Sequence, residues 1–73
     1  MQFPRNFGRI VRERRERRSM TIKELAELCD MSDRGLELIE LGDSDPKLSN
    51  VLSIARALDM DLGELNACIP AMA

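Results

Sequence analysis

The stretch from Met20 to Gly42 constrains this chain most, because it reads as two short helices joined by a tight turn. Thr21 stands where a helix needs an N-cap, and Glu24 follows at the spacing of a capping box. Leu25, Ala26 and Leu28 then share one apolar face. Cys29, Asp30 and Met31 make the bend, and aspartate tolerates the left-handed backbone that such a bend requires. Ser32 caps a second helix, whose inner face is Leu36 and Ile39. Gly42 ends it, at the C-terminal position where glycine is favoured. A helix held out on such a bend has the width to enter the major groove of B-DNA.

The other segments are consistent with a small helical domain. At 73 residues the chain makes one domain at most. Folding hides only about 60% of the unfolded surface at this size, so such a domain gains from pairing. Asn6 can cap a first helix from Phe7 to about Arg18, with Pro4 barring an earlier start. After a loop closed by Pro46, a helix over about 48–58 places Val51, Leu52, Ile54, Ala55 and Leu58 on one broad apolar face. Asp61 and Glu64 form a second capping pair, opening a short fifth helix with Leu62 and Leu65 apolar. Residues 67–73 end in Pro70 and small residues and are expected to be disordered. No strand pattern and no internal repeat is present.

Charge is uneven. The whole chain carries −2, but residues 1–23 hold eight cations against two acids, and residues 24–73 hold three cations against eleven acids. The basic end is the first helix, a distribution that hints at polyanion binding. Two readings of its arginines compete. In one they form a solvated face paired with Glu13 and Glu16; in the other, one or two of them touch phosphate.

Several function classes are disfavoured. Phe3 and Phe7 are the only aromatics, too few for a single-strand or RNA binder built on base stacking. No apolar run reaches membrane-spanning length and no secretory pattern opens the chain, so a reducing cytoplasm is expected. With no histidine and no glycine-rich phosphate cradle, the inventory for acid–base catalysis is nearly empty, and no enzyme is expected. Cys29 and Cys68 cannot build a metal site at their spacing, and no cofactor is implied. Cys29 reads as a small buried hydrophobe and Cys68 as an exposed tail residue, although one in-chain disulfide between them is possible.

Together, Phe7-Gly8, Arg15, Thr21, Leu25-Ala26, Ser32, Leu36, Ile39-Glu40, Gly42, Pro46, Ile54-Ala55, Ala57-Leu58 and Leu65 resemble the Cro/cI-type (XRE) helix-turn-helix family of phage and bacterial repressors. The resemblance covers nearly all of residues 6–66. Size and helix order also resemble the controller proteins of restriction–modification operons. The resemblance implies an all-α, five-helix, lambda-repressor-like domain over 6–66, between a lead-in at 1–5 and a tail at 67–73. It implies a sequence-specific double-stranded DNA-binding regulator, acting as a homodimer on operator DNA.

By position in the family, Asp33, Arg34, Glu37 and Leu38 face the groove, and Arg34 can take guanine O6 and N7. Asp33 has a second reading as helix-dipole compensation, and Glu37 as a partner holding Arg34 at i,i+3. Thr21, Lys23, Ser32 and Arg12 are the candidates for phosphate. Arg15 and Glu40 occupy the positions of a structural ion pair, and Leu62, Leu65 and Ile69 are the candidate dimer contacts.

The departures from the pattern are specific. Ile22 stands where the family usually has glutamine, and Asp43 and Asp45 occupy a loop that is usually polar or basic. Ser19, Asp30 and Asp59 replace favoured glycines. Ile22, Leu38 and Leu41 together would make an apolar patch on the DNA side, which suits a protein partner instead. The alternative function is therefore an interaction module, an anti-repressor or assembly partner, that has lost DNA binding.

Overall fold

The structure, a computed structural model, describes residues 2–69 as five helices: α1 (Phe3–Arg17), α2 (Ile22–Leu28), α3 (Asp33–Leu41), α4 (Leu48–Ala57) and α5 (Leu62–Ala67). The tail expected to be disordered over 67–73 is ordered where described, since Ala67 closes α5 and Cys68 is its buried C-cap; positions 70–73 lie outside the described residues.

α1 starts a full turn before the expected Phe7, with Gln2 as its N-cap and Pro4 in the first turn. Proline is tolerated there because its missing N–H would have had no helical acceptor. The expected lead-in is therefore mostly helix. Asn6, expected as the cap, lies inside the helix, and its Nδ2 donates to the carbonyl oxygen of Cys68 at 3.0 Å. That bond ties α1 to the end of α5, and Cys68 is fully buried rather than exposed.

The core is one cluster, with Phe7, Val11, Leu25, Leu36, Ile54, Leu58 and Cys68 shut off from solvent. Phe3 stacks on Phe7 with ring centroids 5.3 Å apart. Two leucines expected on inner faces are not in it. Leu28 is 65% exposed and Leu52 is 48% exposed. Helical geometry explains both. On α2 the buried stripe is Leu25, Ala26 and Cys29, and Leu28 falls to its side. On α4 it is Val51, Ile54, Ala55 and Leu58, at i, i+3, i+4 and i+7, which leaves Leu52 about a quarter-turn or more away.

Four helices end in the same way. After α1, α2 and α4 the chain turns through a left-handed residue: Ser19 (φ 56°), Asp30 (φ 56°) and Asp59 (φ 55°). Gly42 (φ 77°) does this after α3. Each turn carries the paired backbone bonds of a Schellman motif, such as Met20 N–H to Arg15 O at 3.1 Å with Ser19 N–H to Glu16 O at 3.0 Å. The residue after each of the three non-glycine turns is a methionine: Met20, Met31 or Met60, all packed on or in the core. The hydrophobic contact that accompanies this motif is thus made three times by a flexible side chain.

A left-handed backbone costs an L-residue about 1–2 kcal/mol, and glycine returns part of any gain through the entropy of its unfolded chain. Ser19→Gly should therefore stabilise the domain by roughly 0.5–1 kcal/mol. Asp59→Gly should gain less, since aspartate can bond locally in this conformation. An unchanged or lowered urea midpoint for Ser19→Gly would contradict this account.

Candidate nucleic-acid interface

The local caps set the two helices of the motif. Thr21 Oγ1 accepts from Glu24 N–H at 3.0 Å while Glu24 Oε1 accepts from Thr21 N–H at 2.8 Å, so the capping box is complete. Ser32 Oγ accepts from Gly35 N–H at 3.0 Å and opens α3. A Cβ on Gly35 would sit 3.0 Å from that same Oγ, so the glycine makes room for the cap. Residues in the first turn of each helix keep N–H groups without an intrahelical acceptor, and these can meet an anion.

α3 is seated on α1 by two devices. The first is contact without side chains. A Cβ on Gly8 would lie 2.1 Å from the carbonyl oxygen of Ile39 and 2.9 Å from that of Glu40, so the two backbones meet there. The second is Arg15. Its Nε donates to Glu40 Oε2 at 2.6 Å, its Nη2 to Glu40 Oε1 at 3.0 Å and its Nη1 to Met20 O at 2.8 Å. The side chains are only 12% and 6% exposed. The hydrogen bond to Glu40 raises the Arg15 guanidinium above its ordinary value, with burial opposing. One guanidinium thereby joins α1, the α1–α2 turn and α3.

With Leu36 and Ile39 buried against this seat, the opposite side of α3 faces out. Asp33, Arg34, Glu37 and Leu41 are exposed and Leu38 is half-buried, all within one arc of the helix. Arg34 Nη1 donates to Glu37 Oε1 at 2.7 Å, an exposed i,i+3 pair on that arc. Thr21, Lys23 and Ser32 are exposed as well. Ile22 is half-buried against the core rather than presented. The expected apolar patch of Ile22, Leu38 and Leu41 therefore shrinks to Leu41 and the edge of Leu38.

Most of the arginine run is spoken for. Arg9 pairs with Glu13 and Arg12 with Glu16, each at 3.3 Å and i,i+4. Arg12, a candidate for phosphate, is thus half of a surface pair. Arg14 does not face solvent: it pairs with Glu64 of α5 and donates to Leu58 O at 3.3 Å. Glu64 therefore does not complete a capping box with Asp61, although Asp61 Oδ1 does accept from Glu64 N–H at 2.8 Å. Among the described residues, Arg5, Arg17, Arg18, Lys23, Lys47 and Arg56 are exposed and make no ion pair. Arg17 and Arg18 stand at the α1–α2 corner. Their sequence offers the signal: no acid lies at i+4 of either, and the acid four before Arg17 is Glu13, which Arg9 holds.

On another side, Leu48, Leu52, Leu62 and Ile69 rim an apolar groove of about 670 Å³ between α4, α5 and Phe3. Leu62 is 80% exposed, whereas Leu65 packs partly on the core. Leu48, 72% exposed, belongs with this surface and was not among the expected contacts.

The two cysteines are free and buried, and burial pushes both thiols above their ordinary value, so they resist ionisation. Among the described residues, no group of three or more histidine, cysteine or acidic side chains could hold a metal. No described helix is long and apolar enough to cross a membrane.

A buried-backed helix held outward from a capped turn defines a helix-turn-helix protein of DNA-binding type. The helix-turn-helix family model matches residues 11–65, and the chain belongs to that family, of the Cro/cI (XRE) type, whose members are DNA-binding regulators. No curated protein and no solved structure matches the chain.

Proposed function

We propose that this protein is a sequence-specific, double-stranded DNA-binding transcriptional regulator that works as a homodimer and represses by occupying its operator. The observation that carries the reading is the outward arc of α3, with Arg34 exposed at its start and the back of the helix fixed on α1 by Gly8 and Arg15. Arg34 is the base reader, with Asp33, Glu37 and Leu38 beside it. Ser32, Thr21 and Lys23 meet phosphate, joined by Arg17 and Arg18. The exposed Leu62 and Ile69, with half-buried Leu65, supply the dimer contact, and Leu48 and Leu52 extend it. A two-fold dimer would place its reading helices about 34 Å apart, one DNA turn, on a near-palindromic site. On this reading the protein acts in a reducing cytoplasm, with both thiols reduced.

The test is a salt titration of binding to duplex DNA. Each neutralised phosphate contributes about −0.9 to the slope of log K against log salt, so Arg17, Arg18 and Lys23 give about −2.7 per subunit and about −5 for the dimer. Arg34→Ala should remove preference at one base-pair position, worth ~1–3 kcal/mol, without changing that slope much. A site preference that survives Arg34→Ala would move the reader elsewhere. No salt-dependent binding at low ionic strength would leave the protein-interaction module as the better reading.

A further inference from the structure

We infer that Arg34 and Glu37 read DNA as one unit. Glu37 acts as a specificity-determining residue that demands an exocyclic amine next to the guanine taken by Arg34. The inference rests on the DNA-binding reading above and deepens it. Glu37 is an acid on a face meant for a polyanion, and an isolated carboxylate there would repel the duplex. Its charge is cancelled in place: Arg34 Nη1 donates to Glu37 Oε1 at 2.7 Å while both side chains remain exposed. The pair therefore enters the groove with no net charge.

The bond also orients the guanidinium. With Nη1 committed to Glu37, the Nε–Nη2 edge has no other partner among the described residues, and it is one of the two edges that match guanine O6 and N7. Glu37 keeps a second oxygen, Oε2, which is an acceptor only. In the major groove an acceptor is satisfied by cytosine N4 or adenine N6 and repelled by guanine O6 or thymine O4. One turn of α3 thus specifies two positions: a guanine, and beside it a base that presents an amine toward Glu37.

The experiment is selection of bound sites from a random duplex library by the full chain, repeated with Glu37→Gln and Glu37→Ala. Glu37 is exposed, and circular dichroism checks that each variant keeps its helices. The wild type should enrich a guanine with cytosine or adenine at one neighbouring position, on either strand. Glu37→Gln can still accept from Arg34 but can also donate, so it should keep the guanine and flatten the neighbouring preference about fivefold or more. Glu37→Ala should weaken the guanine preference too, because Arg34 loses its brace. Enriched sites without this pair, or a neighbouring preference unmoved by Glu37→Gln, would overturn the inference while leaving DNA binding intact. A library with nothing enriched would overturn it together with the reading it rests on.

Discussion

Replacing Gly8 with alanine should cost the domain more than about 3 kcal/mol, a large part of its stability. The added methyl carbon would meet Ile39 O at 2.1 Å and Glu40 O at 2.9 Å, both backbone atoms of α3. No rotamer change relieves such a clash; α1 and α3 must separate. Overpacking typically costs about 1–3 kcal/mol when side chains can yield, and more is expected where only backbone is present. Marginal stability of about 0.05–0.15 kcal/mol per residue gives a domain this short roughly 4–11 kcal/mol in total. Gly63→Ala is the control, since its Cβ would meet only Asp61 Oδ1, at 3.3 Å, a side-chain atom able to move. Urea denaturation followed by circular dichroism decides the matter. A Gly8→Ala curve superimposable on the wild type would mean that α1 and α3 do not meet at this point.

Removing one partner of the Arg15–Glu40 pair should be nearly as damaging. Glu40→Ala leaves a guanidinium in a site where its side chain is only 12% exposed, with Met20 O as its remaining acceptor. Breaking a buried pair costs about 3–5 kcal/mol, and the residual exposure here places the expected loss near the lower end, about 3. Arg15→Ala should lose a similar amount. The double variant should lose clearly less than the two single losses added together, because no stranded charge remains. Strict additivity in that cycle would show that the two side chains do not depend on one another. Arg15→Lys should fail to rescue, since an ammonium cannot grip both carboxylate oxygens in parallel while also reaching Met20 O.

These two sites explain how a marginal domain fixes the angle of one exposed helix. Their settings were legible to different degrees. The Arg15–Glu40 pair followed from resemblance, and its two parallel bonds are present at 2.6 and 3.0 Å. Gly8 was part of the same resemblance, but nothing in the residues around it says that α3 carbonyls lie against it. Helix starts at Thr21, Ser32 and Asp61 were readable because capping is local chemistry within three or four residues. The start of α1 lies earlier than a proline at position 4 suggests, because the first helical turn is where proline is harmless.

By itself the sequence determined the helices and where they stop. Caps and the left-handed turns at Ser19, Asp30, Gly42 and Asp59 are set by neighbours close along the chain. Only the tertiary structure decided what joins distant residues. Asn6 reaches Cys68, Arg14 reaches Leu58 and Glu64, and Leu28 and Leu52 are left outside the core. The reason is physical: periodicity says that a helix has an apolar side, but the exact stripe, and which arginine turns inward, depend on how the neighbouring helices pack.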